Sequence, residues 1–153
     1  MKNRKCKRGF TLLEILVVIT LIIIIAGIAL PRFKGVSDEG RRAKAAAELK
    51  TLQTALESYI LNTNNAPPAN LAALKTALEA ASPRLVGEMD RFVDPFSSLE
   101  YRYEIDTGTT AQYYVLFSVG PNRTAGITGI STVGAITGTP GDDIFATNGQ
   151  LPS

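Results

Sequence analysis

The chain predicts an α+β fold: a long N-terminal helix, its first half apolar enough to span a membrane, packed on a small antiparallel β-sheet. Three observations carry this. Phe10 to Leu30 is an apolar run with one charge, Glu14. Ala45, Leu49, Leu52, Leu56 and Tyr59 then recur at helical spacing, and β-rich segments with turn residues between them fill much of the second half.

At ~1.5 Å per residue, Phe10–Leu30 is long enough as a helix to cross a hydrocarbon core of ~30 Å. Lys2, Arg4, Lys5, Lys7 and Arg8 precede it, so the positive-inside rule places the N-terminus in the cytoplasm and the chain after Leu30 outside. A secretory signal peptide is the competing reading, with Ala26-Gly27-Ile28-Ala29 as its cleavage region. That reading leaves Glu14 unexplained, since an acid in a membrane helix, costing about 2.5 to 3.5 kcal/mol at the centre and less near an end, demands a partner or a purpose.

Pro31 interrupts the helical pattern because its ring clashes with the carbonyl four residues back, that of Gly27. The pair marks a kink, with Arg32 and Lys34 as interfacial anchors. Ser37-Asp38-Glu39 has the composition of a new helix start, and the stripe from Ala45 to Tyr59 is the face expected to pack on the sheet. This helix is expected to end near Asn62–Pro68. Asn70 is expected to cap a second one over Leu71–Ala81, closed by Ser82-Pro83.

Leu99–Ile105 and Gln112–Val119 read as strands joined by a turn at Asp106-Thr107-Gly108-Thr109, an antiparallel hairpin. Ile127-Thr128-Gly129 recurs as Ile136-Thr137-Gly138 with Gly134 between, which suits a second hairpin. Its Ile127, Ile130, Val133 and Ile136 must be buried, either on the chain's own sheet or against a neighbouring subunit.

Composition narrows the functions. Sixteen basic residues face fourteen acidic ones, but five of the basic ones precede Gly9; from Phe10 onward there are 11 against 14, a net of −3. A nucleic-acid-binding basic face is therefore not expected. The only cysteine, Cys6, also precedes Gly9, and there is no histidine, so neither a thiolate metal site nor the usual activated nucleophiles and bases are available beyond it. No phosphate-cradling glycine loop is present, and the expectation is that this is not an enzyme.

The string Gly9-Phe10-Thr11-Leu12-Leu13-Glu14, after a basic leader and at the start of a long apolar helix, is similar to the N-terminal signature of type IV pilins and type II secretion pseudopilins. The resemblance implies that residues 1–9 are a leader removed by a prepilin peptidase cutting after Gly9, that Phe10 becomes an N-methylated terminus, and that Glu14 meets the terminal amine of a neighbouring subunit. Pairing of that amine with Glu14 within one chain, at i, i+4, is the other possibility. In a filament the segment from Gly27 to Pro31 could lose helix and extend.

Later segments narrow the resemblance. Asp94-Pro95-Phe96, the run Tyr113 to Asn122 containing Ser118-Val119-Gly120-Pro121, and Asp142-Asp143-Ile144 are similar to motifs of the major pseudopilin of type II secretion systems. This implies 10–30 as a transmembrane and assembly helix and 31–153 as a periplasmic pilin-like head. The subunit would be single-pass in the inner membrane, and once assembled would belong to a periplasmic homo-polymer with other pseudopilins. An inner-membrane assembly platform and an ATPase would drive assembly. A surface pilus subunit for adhesion, motility or DNA uptake, and a membrane-anchored binding module that never polymerises, are the two alternatives.

In the same family the loop between the last two motifs binds calcium, which would assign Asp142, Asp143 and the carbonyl of Val119 as ligands. Calcium takes about 6 to 8 oxygen ligands. Here the loop carries Asn122-Arg123 where the family usually has Asp-Gly, and Arg123 opposes a cation. Thr124 to Gly141 is uncharged, and two acids in a solvated turn is the competing reading.

Overall fold

The computed structural model describes residues 10–63, 66–81, 86–87, 92–109 and 111–151, with the side chains of 29–34 excepted. It divides into two units, Met1–Asp38 and Glu39–Ser153.

Helix α1 covers Leu12–Thr63. It does not restart at Ser37, where a cap was expected; the helix is unbroken through that position, and it ends at Thr63, within the stretch Asn62–Pro68 where its end was expected. In the first unit the apolar side chains are exposed on every side, from Phe10 and Leu12 through Ile19 and Ile23 to Ile28. Among the described residues no helix is long and apolar enough to cross a membrane; the described side chains of the apolar run stop at Ile28.

In the second unit the predicted stripe is the buried face. Ala45, Leu49, Leu52 and Leu56 are each at most 1% exposed, and Tyr59 packs partly buried beside them. Each of these leucines contributes about 1.5 to 3 kcal/mol by leaving water. Helix α2, Leu71–Ala80, starts as expected at Asn70, whose side chain accepts from the Ala73 amide at 2.9 Å. Its buried Leu74 and Leu78 join the same core. Ser82 and Pro83, the expected stop, lie outside the described residues.

Among the described residues five strands follow: β1 Arg102–Ile105, β2 Tyr114–Ser118, β3 Ile127–Ile130, β4 Ile136–Gly138 and β5 Ile144–Thr147. They form two antiparallel sheets, β1-β2-β5 and β3-β4. Both predicted hairpins are present. β5 was not anticipated; it pairs with β2 in the register Phe117 to Phe145.

Every residue of β2 is buried, because the sheet is covered on both faces. Tyr114 and Leu116 belong to the core made with the α1 stripe and α2, whereas Val115 and Phe117 pack with Ile127 and Ile130 of the second hairpin. The hairpin's apolar residues thus find their burial on the chain's own sheet, except Val133, which stays exposed. Gly134 turns that hairpin at φ +81°.

Tyrosine hydroxyls tie β1 and the residue before it to α1 and to the connection between the helices. Tyr101 donates to Glu48 at 2.7 Å, and Tyr103 donates to the Pro68 carbonyl at 2.8 Å. Burial, reinforced at Tyr101 by the Glu48 carboxylate, pushes both phenols well above their ordinary range, so they remain donors at any physiological pH.

Candidate assembly and loop sites

The first site is the start of α1. Leu12 opens the helix, and Thr11 stands as its cap: the Thr11 hydroxyl oxygen accepts from the Glu14 amide at 3.2 Å. Thr11-x-x-Glu14 therefore also has capping-box spacing. Only one half of the box is made among the described hydrogen bonds. The Glu14 carboxylate itself is exposed and has no ion pair or hydrogen bond among the described residues. It lies in the first turn, where the helix dipole favours an anion by about 0.3 to 1 kcal/mol. Gly9, the expected cleavage site, lies outside the described residues. Phe10 is described, and 77% exposed.

Farther along, a Cβ built on Gly27 would meet nothing within 4 Å. Packing therefore does not require glycine there. The helix carries its propensity penalty of about 1 kcal/mol relative to alanine without a steric reason. The side chain of Pro31 lies outside the described residues.

The second site is the loop system around Asp94, Gly120 and Asp142-Asp143. Asp94 is 1% exposed, and its carboxylate gathers four donors: the amides of Phe96 (3.0 Å) and Val119 (3.2 Å) and the hydroxyls of Ser97 (3.1 Å) and Ser118 (2.7 Å). Its main chain closes the turn as well, accepting from Ser98 and donating to Leu99. One buried charge thus fastens the Asp-Pro-Phe turn to the end of β2. The sequence signal was an Asp-Pro step with serine following, which favours side-chain-to-backbone turns.

Beyond β2, Gly120 has φ +65°, and a Cβ there would lie 2.2 Å from the Asp142 carbonyl. Glycine is obligatory both for conformation and for space. This brings the segment after Val119 against Asp142.

Asp142 Oδ2 accepts from the Asn122 amide at 2.8 Å. Asp143 Oδ2 accepts from the amides of Gly126 and Ile127, both at 2.8 Å. The other carboxylate oxygen of each, Oδ1, is buried without a hydrogen-bond partner. A buried anionic oxygen left unpaired is costly, and two on adjacent residues suit a hard cation. Among the described residues no group of three or more His, Cys, Asp or Glu stands together, so an ion here would take two carboxylates and main-chain carbonyls. That oxygen-only set fits calcium rather than a softer metal.

A long N-terminal helix packed on a small antiparallel sheet, with Phe-Thr-Leu-Leu-Glu opening the helix, defines a pilin-like protein. Residues 4–30 match the prokaryotic N-terminal methylation motif, and residues 32–134 match the family model of the type II secretion system protein G. The chain belongs to the type II secretion system protein G family.

Among its relatives, the type II secretion system core protein G of Escherichia coli K12 is 36% identical over 80 residues, covering 52% of this chain and 54% of that one. The core protein G of Vibrio cholerae is 33% identical over 86 residues, covering 55% and 59%. A fimbrial protein of Pseudomonas aeruginosa is 39% identical over 57 residues, covering 37% of each. The chain spans about half the length of the curated relatives it matches. No solved structure matches it.

Proposed function

We propose that this chain is a structural subunit of a type II secretion pseudopilus, polymerising into a periplasmic filament that helps export folded proteins. The observation that carries the reading is the exposed apolar surface from Phe10 to Ile28 with an unpaired carboxylate, Glu14, at its start. A lone helix exposing such a surface needs a non-aqueous environment. Two environments serve in succession: the inner membrane, spanned by residues 10–30 with the N-terminus in the cytoplasm, and then the packed helical core of a filament.

Cleavage after Gly9 by a prepilin peptidase exposes the Phe10 amine, which is then methylated. In apolar surroundings that cation needs an anion, and Glu14 of a neighbour supplies one while setting axial register. The segment from Gly27 to Pro31 is where the membrane helix is converted to its filament form. Other pseudopilins, an inner-membrane platform and an ATPase complete the assembly. The role is mechanical.

The experiment is Glu14→Ala in the full chain. Membrane insertion is expected to persist while filament yield collapses; normal yield would sink the register role. N-terminal mass spectrometry tests processing, since an unmethylated terminus upstream of Phe10 contradicts it.

A surface pilus subunit is the second reading, favoured by the match to the fimbrial protein. Deleting the gene separates the two: loss of exported proteins supports the pseudopilus, and loss of surface filaments with export intact supports the pilus.

The loop is also proposed to hold calcium through Asp142, Asp143 and the Val119 carbonyl, supported by the two orphaned Oδ1 atoms. Calcium at about 100 times its dissociation constant should stabilise the head by about 2.7 kcal/mol. A melting temperature unmoved by calcium would remove the assignment.

A further inference from the structure

A cavity of about 390 Å³ opens between α1, the Asp-Pro-Phe turn and the loop after β2, lined by Arg41, Phe96, Ser97, Ser98, Leu99 and Arg123, with Pro95 at its margin. Two guanidinium groups thus border one cavity, and no carboxylate is among its described lining residues. Neither arginine has an ion pair or hydrogen bond from its side chain among the described residues. Arg41 is half-buried and Arg123 exposed. Two like charges brought together around a concavity, with no acid among its described lining residues, form an electrostatically incomplete site, and an anion completes it.

Both walls are built. The turn carrying Ser97 and Ser98 is fastened by the buried Asp94 carboxylate. The loop carrying Arg123 is closed by the Arg123 amide donating to the Gly120 carbonyl at 3.0 Å, by the Thr124 amide donating to Asn122 Oδ1, and by Asp142 holding the Asn122 amide. Ser98 (φ +59°) and Arg123 (φ +60°) are the two non-glycine residues with left-handed backbone among those described, and both line this cavity. Such conformations cost free energy and persist where surrounding structure enforces them. The walls are therefore set before any ligand arrives.

We propose that this cavity is an inter-subunit socket that receives a carboxylate from a second copy of the chain. This rests on the filament reading above. Charge complementarity selects the occupant: from Phe10 onward the chain carries more acidic than basic residues. Glu39 and Glu104 are exposed acids without a partner among the described residues. Glu39 lies two positions before Arg41 on the same helix, a spacing that does not face it, so Glu39 reaches such a socket only on another copy. A planar guanidinium pair grips a carboxylate in two-pronged fashion and fixes its orientation, which a lysine pair would not.

The test uses the full chain, expressed with its assembly machinery. Arg41→Glu combined with Arg123→Glu should cut filament yield at least tenfold, with the melting temperature of the unassembled chain in detergent held within about 2 °C, as expected of surface substitutions. Adding Glu39→Arg or Glu104→Arg should restore yield. Independently, Ser98→Cys with Glu39→Cys or Glu104→Cys, in a processed chain that has no other cysteine, should give an intermolecular disulfide in filaments and none in dispersed subunits. Undiminished yield from the double variant overturns the socket, as does a drop that neither swap restores with no disulfide formed. Binding of inorganic phosphate that Arg41→Gln abolishes, alongside normal filaments from that variant, would also overturn it and assign the cavity to a small anion. Failure of the wild-type chain to polymerise sinks the filament reading itself, which these outcomes keep separate.

Discussion

Asp94→Ala is the substitution whose cost can be worked most directly from the structure. It removes a 1%-exposed carboxylate that accepts from two main-chain amides and two hydroxyls. The serine hydroxyls can rotate toward other acceptors. The amides of Phe96 and Val119 are held by the backbone and cannot. Each buried donor left unpaired costs about 1 to 3 kcal/mol, and the lost bonds are charge-assisted, which places the total near 3 to 5 kcal/mol. For a head of this size that lowers the melting temperature by about 10 to 20 °C. Asp94→Asn keeps one acceptor oxygen and should lose about half as much. Thermal and urea unfolding of the detergent-solubilised chain by circular dichroism measures both. A cost below about 1 kcal/mol for the alanine variant would refute the view that this carboxylate holds the turn to β2.

Two further predictions concern conformation and pH. The Asp106 carboxylate accepts from the amides of Tyr113, Gln112 and Gly108, which hold it below the usual carboxylate range. Its contribution to stability is therefore complete above the ordinary value of 3.8 and is lost as pH falls through the lower folded value. Acid should lower the protection of the Tyr113 amide, taken relative to its intrinsic exchange rate at each pH, in wild type, and an identical acid limb in Asp106→Asn would contradict this. Gly27→Ala meets no steric obstacle and should favour the local helix by about 1 kcal/mol. If assembly requires this segment to extend, filament yield falls while insertion does not change; unaltered yield speaks against extension.

Much of the fold is legible in the sequence. The Ala45-to-Tyr59 stripe repeats at steps of three and four, a pattern only a helix places on one face, and it is the face that is buried. Asn70 announced its helix through its own chemistry. β5 escaped notice because Ile144-Phe145-Ala146-Thr147 is four residues long and half-buried throughout, so no alternation marks it; pairing with β2 creates it. The restart expected at Ser37 failed because Ser-Asp-Glu also sits comfortably on an exposed helix surface, and composition alone cannot tell a cap from a solvated turn. Asp94 was visible as part of a motif, but the four donors come from segments more than twenty residues apart, a convergence that local pattern does not encode.

The position of Asp143 ties together parts of the head that the chain order keeps apart. Its side chain holds the first amides of β3, and its next residue begins β5, the edge of the other sheet. A disturbance at this one carboxylate therefore reaches both sheets at once, through the strand beside β2 and through the hairpin packed on Val115 and Phe117. The helix-facing core draws mainly on α1, α2, β1 and β2, with Ile144 and Ala146 of β5 packed at its edge. The head should come apart in layers: the glycine-rich hairpin and β5 loosen together, while α1, α2 and β1 remain associated as the part that survives longest.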